Sequence, residues 1–120
     1  VNKISKGKKI SSALSSKQKG VQKEEKVRQF LIQKGWRIIY KNKKILGVEL
    51  DILARKNKDY IVIEVKSISH PGQIEKILKP EQKNRLEKAT ASLYGRFNSS
   101  PQLFLAVIDP KNQIDFFQIT

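Results

Sequence analysis

The stretch Leu50-Asp51-Ile52-Leu53, followed after a short polar turn by Tyr60-Ile61-Val62-Ile63-Glu64-Val65-Lys66, decides how this chain folds. Both runs read as buried β-strands, yet Asp51, Glu64 and Lys66 interrupt them. An ionised side chain in a dry core is costly unless something compensates it. A divalent cation compensates two carboxylates, and a lysine beside that cation suits chemistry there. Residues two apart in a strand face the same way, ~6.5–7 Å from each other, so Glu64 and Lys66 share a face. Asp51 meets them if its strand is their neighbour and the register allows. Oxygen ligands suit a hard cation, Mg²⁺ or Mn²⁺. Asp51, Glu64 and the carbonyl of Val65 are the candidate ligands. Lys66 is the candidate to orient or deprotonate a water and to stabilise charge on a phosphate.

Outward from this stretch the pattern alternates. From Val21 the period is helical: Val27, Phe30 and Leu31 fall on one face, with Glu24 one turn ahead of Val27, and Gly35 stops the helix. Trp36 to Tyr40 reads as a strand and Asn42-Lys43-Lys44 as a turn. The second strand runs from about Leu46 to Arg55, Lys56 to Asp59 form another turn, and Tyr60 to Lys66 is the third strand. Residues 67–79 are an irregular connection. Pro80 suits the first position of a second helix, whose apolar face is Leu86, Ala89, Leu93 and Tyr94 and whose end is Gly95. Leu103 to Ile108 is apolar on both faces, as in a central strand covered on two sides. After an Asp109-Pro110-Lys111-Asn112 turn, Ile114 to Ile119 is the last strand. The order α-β-β-β-α-β-β predicts an antiparallel meander, a crossover helix and a mixed α/β sheet flanked by helices.

Charge points to the partner. The formal net charge is +14, from 25 Lys and Arg against 11 Asp and Glu. Residues 1–23 hold seven lysines and no acid, while residues 24–120 remain at a net +7. Residues 1–20 read as a flexible basic tail with a reach of up to about 70 Å, and residues 21–120 as the folded domain. A basic surface of this kind attracts polyanions, nucleic acid above all. No cysteine is present, which excludes disulfides and thiolate metal sites. No apolar run approaches a membrane span and none resembles a signal-peptide core, so the expectation is a cytoplasmic protein with no membrane partner. His70, the one histidine, sits beside Pro71 and Gly72 and reads as a solvated loop residue. Trp36 and Tyr40 are better suited to core packing than to stacking on bases.

Asp51, a thirteen-residue step and then Glu64-Val65-Lys66 resemble the PD-(D/E)xK nuclease superfamily. The fuller strings, Glu49 to Ala54 and Ile63 to Lys66, resemble its Holliday-junction-resolvase-like branch, and within it the YraN-type endonuclease-like family. The resemblance covers roughly residues 24–97. Glu24, seven residues before Leu31, matches the glutamate of that family's opening helix. Asn42, seven before Glu49, matches its asparagine, and Lys83, with Gln82 beside it, matches a lysine of its second long helix. Val48 stands where the family usually has glycine, Ile68 where it has arginine, and Lys23 where glycine is common.

The resemblance implies a restriction-endonuclease-like fold and a Mg²⁺- or Mn²⁺-dependent DNA endonuclease, structure-selective for branched or flapped DNA and acting as a homodimer. Glu24, Asp51, Glu64 and Lys66 are the catalytic candidates. Glu25 competes with Glu24 for its role, and Glu49 either joins the site or pairs with a lysine at the sheet edge. Lys43, Lys44, Gln82 and Lys83 are candidate nucleic-acid contacts, with a plain solvated surface as the alternative for the last two. The rival function is a non-catalytic nucleic-acid-binding protein on a degenerate nuclease fold. Under either, the tail adds affinity without sequence preference. Deleting residues 1–20 removes six lysines. If all six touch phosphates, the slope of log K against log salt in DNA titrations falls by about 5.

Overall fold

A computed structural model describes residues 16–119. Most of the basic tail lies outside this range, but its last five residues are helical, because helix α1 spans Ser16–Gln33. A deletion that spares α1 therefore stops at residue 15. The sheet strands are β1 (Arg37–Ile45), β2 (Val48–Lys56), β3 (Asp59–Ser67), β4 (Gln102–Ile108) and β5 (Ile114–Gln118). Between β3 and β4 come a 3-10 turn (Pro71–Lys76), helix α2 (Pro80–Ala91) and a single helical turn, α3 (Tyr94–Phe97).

The sheet order is β1-β2-β3-β4-β5. The first three strands form an antiparallel meander, β3 and β4 are parallel, and β4 and β5 are antiparallel. This is the mixed α/β sheet flanked by helices that the order of elements predicts. One face packs against α1 through Val27 and Leu31, which meet Ile52, Ile61, Ile63, Ala106 and Ile108. The other packs against α2 through Leu86, Ala89 and Leu93, which meet Leu53, Val62 and Leu103. β4 thus supplies alternate residues to both cores, as its uninterrupted apolar run requires. Trp36 packs on the first core and Tyr40 on the second.

Local chemistry sets the ends of the elements. At the end of α1 the amide of Trp36 donates to the carbonyl of Leu31 (2.9 Å) and that of Gly35 to Ile32 (3.0 Å). Gly35 has φ +93°, the left-handed position of a Schellman motif. Lys56 Nζ caps the Lys34 carbonyl at 2.8 Å, tying the helix end to β2.

Besides the early start of α1, two boundaries differ from the sequence expectation. Asn42-Lys43-Lys44 is not a turn. β1 continues to Ile45, absorbing a register shift between Ile38 and Tyr40 and a left-handed Asn42 (φ 52°). An edge strand leaves one side to solvent, so a polar run there carries a turn-like composition without turning. The turn is Leu46-Gly47, both at positive φ (52° and 75°), as a two-residue type I′ hairpin needs. The second helix also ends early, at Ala91, and Tyr94 is 55% exposed instead of facing the core. Asn98 (φ 51°), not Gly95, closes the helical turn that follows.

Leu46 is 71% exposed and left-handed, a conformation that costs a β-carbon-bearing residue about 1–2 kcal/mol and that asparagine tolerates. Leu46→Asn is expected to raise stability by about 1 kcal/mol, read as a higher urea or thermal midpoint.

Candidate active site

The site begins where the β2–β3 ladder stops. Strand pairing runs from Lys56↔Asp59 to Ile52↔Ile63 and goes no further. The next cross-strand position, Asp51 opposite Glu64, has no backbone pair. In its place the Val65 amide donates to Asp51 Oδ2 at 2.8 Å. A side chain has replaced a backbone acceptor, which fixes the Asp51 carboxylate and satisfies the amide. β3 remains zipped to β4 on its other edge, with Glu64 opposite Leu105. A cleft of about 410 Å³ opens there, lined by Gly47, Val48, Glu49, Asp51, Glu64, Gln82, Arg85 and Leu86.

Glu64 is only 7% exposed. Gln82 Nε2 donates to its Oε2 at 3.0 Å, and Lys66 Nζ lies 3.9 Å from the same oxygen, too far for a hydrogen bond. Its Oε1 is buried without a partner. Burial, the Asp51 carboxyl beside it and, more weakly, Glu24 push the Glu64 carboxyl up to about 9, against the opposing pull of Lys66. With an ordinary value of 4.5, this group keeps its proton at neutral pH in the metal-free protein.

A second layer of carboxylates stands behind. With its amide nitrogen turned toward them, Asn42 donates to Glu24 Oε1 (2.9 Å) and to Glu49 Oε1 (3.1 Å). Burial and the Asp51 charge raise Glu24 above the usual carboxylate range, while Asn42 and Arg28 pull it back. Arg28, 7% exposed, places Nη1 4.0 Å from Glu24 Oε1. Its Nη2 is bound to Glu25. Glu25 faces solvent, held low by hydrogen bonds from Gln29 and Arg28. The helix therefore sends Glu24 toward the site and Glu25 away from it.

The sequence candidates separate accordingly. Glu24, Asp51, Glu64 and Lys66 are brought together, and Glu49 lines the cleft. Gln82 reaches Glu64, but Lys83 pairs with Glu87 (3.8 Å) on the far side of α2. Lys43 lies over the Tyr40 ring (5.1 Å), and Lys44 stands exposed in register with Glu49. Two residues escaped the sequence reading. Arg28 was signalled by its spacing of four from Glu24. Arg85 was signalled by lying one turn after Gln82, on the cleft side of α2.

Two carboxylates, an orphaned buried oxygen and an all-oxygen donor set fit a hard divalent cation. Among the described residues no three Asp, Glu, His or Cys side chains converge closely enough to hold one unaided. To hold such an ion, Asp51 and Glu64 would need the Val65 carbonyl and water to complete a shell.

Residues 23–116 match the uncharacterised protein family UPF0102, and the chain belongs to that family. The YraN-type resemblance is thereby met. A UPF0102 protein of Parvibaculum lavamentivorans is 34% identical over 64 residues, 53% of this chain and 48% of the relative, so the match spans about half of that protein's length. Among solved structures, a repair endonuclease from Pyrococcus abyssi aligns with TM-score 0.49 and 14% identity, over 74% of this chain and 39% of the other. No described helix is long and apolar enough to cross a membrane.

A carboxyl whose folded pKa lies above its unfolded one keeps its proton in the fold and releases it on unfolding. Its contribution is therefore full below about pH 4.5 and is lost as pH rises toward about 9. Glu64→Gln keeps an acceptor for Gln82 and removes this dependence. The metal-free variant is expected to exceed wild type by roughly 1–3 kcal/mol at pH 8 and to match it near pH 4 in chemical unfolding.

Proposed function

We propose that this UPF0102 protein is a divalent-cation-dependent DNA endonuclease, hydrolysing phosphodiester bonds at the Asp51/Glu64/Lys66 cleft and selecting DNA by its branched or flapped shape. The observation that carries the reading is Glu64. A carboxyl buried to 7% exposure beside a second carboxyl, with no donor turned to one of its oxygens, is poorly explained by packing and well explained by an ion. When bound, Mg²⁺ or Mn²⁺ supplies a more acidic water and neutralises charge on the phosphate.

The chain's own residues do the rest. Asp51 is held by the Val65 amide, so its orientation is set before any ligand arrives. Gln82 fixes the Glu64 oxygen that Lys66 also faces. Lys66, half-buried beside Glu64, either takes the proton of the attacking water as the neutral amine or, as the ammonium, holds that water in line and meets the charge of the phosphate. Asn42 holds Glu24 and Glu49 together, where either accepts a hydrogen bond from water entering the shell. Lys43 and Lys44 supply phosphate contacts, and a homodimer would present two such clefts to a branched substrate.

The rival, a non-catalytic nucleic-acid-binding protein on the same fold, draws on one observation. No three ligating side chains converge among the described residues. Cation binding separates the two. Under the enzyme reading, calorimetry detects Mn²⁺ binding that Asp51→Asn and Glu64→Gln abolish together with cleavage of branched or flapped DNA. Lys66→Ala keeps Mn²⁺ binding and loses turnover by about 10²–10⁴-fold. A wild-type protein that neither binds Mn²⁺ nor cuts any DNA hands the function to the rival.

A further inference from the structure

The surface charge is distributed unequally across the sheet. Edge strand β1 carries Arg37, Lys41, Lys43 and Lys44 and no acid. The opposite edge, β5, carries Asp115 and no cation. The cleft lies on the cationic side, between β2 and β3.

Helices α2 and α3 add arginines facing the β1–β2 hairpin. Arg85 lines the cleft across from Gly47 and Val48, and among the described residues it makes no hydrogen bond or ion pair. Eleven residues on, the Arg96 guanidinium lies over the Tyr40 ring at 5.1 Å and against Phe97 at 5.9 Å. Lys43 Nζ stands over the same Tyr40 ring at 5.1 Å. Arg96 and Lys43 likewise have no acid partner among the described residues. An arginine stacked on a ring keeps its N–H edge free for an anion. At the far end, Arg55 lies over Tyr60 (5.4 Å) and stands in register with Arg37. Like charges facing each other across strands are destabilising unless something covers them.

We infer that Arg85, Arg96 and Lys43, with Tyr40 between the last two, form a track that grips the backbone of a DNA strand leaving the cleft along the groove between the β1–β2 hairpin and α2/α3, toward Arg55. The track rests on the nuclease reading above and gives its substrate a path. From Asp51 to Arg55 is four strand residues, ~13 Å, the axial rise of about four nucleotides of duplex at ~3.4 Å each. Phosphates contacted there position the strand without reading its sequence. The aromatic faces serve as rigid seats for the cations.

The test compares two triple variants of the full, metal-free chain with equal charge loss. One is Lys43→Gln/Arg85→Gln/Arg96→Gln. The control, Lys26→Gln/Lys76→Gln/Lys111→Gln, removes exposed lysines outside the track. Binding of a 20-nucleotide strand and of a 20-base-pair duplex is titrated against salt by fluorescence anisotropy. The track variant is expected to lower the slope of log K on log salt by about 2 units for the single strand and about 3 for the duplex, well beyond the control. Arg85→Lys/Arg96→Lys, which keeps the charge, retains most of the slope and guards against misfolding of the triple variant. Equal losses in track and control variants overturn the track while leaving the nuclease reading standing. A wild type that binds polyglutamate but no DNA overturns both. Cleavage and Mn²⁺ binding are read separately, so the two failures are distinguishable.

Discussion

Everything at the site depends on the β2–β3 ladder stopping at Ile52↔Ile63. Had the pairing continued, Asp51 and Glu64 would be ordinary cross-strand neighbours, and two like charges directly opposite would oppose the sheet. Instead the strands part, and the Asp51 side chain takes the hydrogen bond a backbone carbonyl would have accepted from Val65. The split does not spread, because β3 is still zipped to β4 as far as Ser67↔Ile108. Rigid pairing on one edge of β3 and release on the other place a buried carboxyl at a cleft wall without loosening the core beneath it. Leu53, Val62 and Leu86 remain packed directly under the opening.

Glu64 and Glu24 show two ways of keeping an acid in such a place. Glu64 has one firm donor, Gln82, and a distant lysine, so burial dominates and its proton is retained. Glu24 has Asn42 and the partly satisfied guanidinium of Arg28, which oppose its burial and the Asp51 charge without cancelling them. The same helix turn carries Glu25, whose hold on Arg28 steers that side chain without entering the cleft. The five-residue segment Glu24 to Arg28 of α1 thus presents one acid inward, one outward, and a buried cation between them.

Much of this was legible in the sequence, for identifiable reasons. Charged residues inside β-branched runs violate local hydrophobic patterning, and such violations concentrate where function overrides packing. That is why Asp51, Glu64 and Lys66 stood out. Strand order was legible because short polar turns force antiparallel neighbours and a helical crossover permits a parallel one. The hairpin boundary was not, because Asn42-Lys43-Lys44 has turn composition while lying on an exposed edge. Its true turn uses Leu46, which nothing in intrinsic preference marks for a positive φ. Lys83 and Arg85 differ only by phase on α2. A two-residue step rotates about 200° around a helix of 3.6 residues per turn, and only the packing of Leu86 and Ala89 fixes which side meets the cleft.

The charge balance gives the fold its functional logic. A chain of net +14 places three carboxylates, Glu49, Asp51 and Glu64, along one cleft, with Glu24 behind them. Alone, that cluster would repel a phosphate and, internally, itself. Protonation of Glu64 relieves part of the internal repulsion, which is why its carboxyl is pushed upward. A divalent cation held by Asp51 and Glu64 would relieve both repulsions at once, taking the place of the Glu64 proton and supplying positive charge toward a phosphate. The surrounding lysines and arginines cannot replace it. Arg85 reaches the cleft wall, but Lys66 stays 3.9 Å from Glu64 and Arg28 is committed to α1. Under the proposed nuclease reading, the basic surface would bring a polyanion close, and the acidic cleft would admit its phosphate only with a cation present. Approach and reaction would then fall to different charges, the second conditional on the ion.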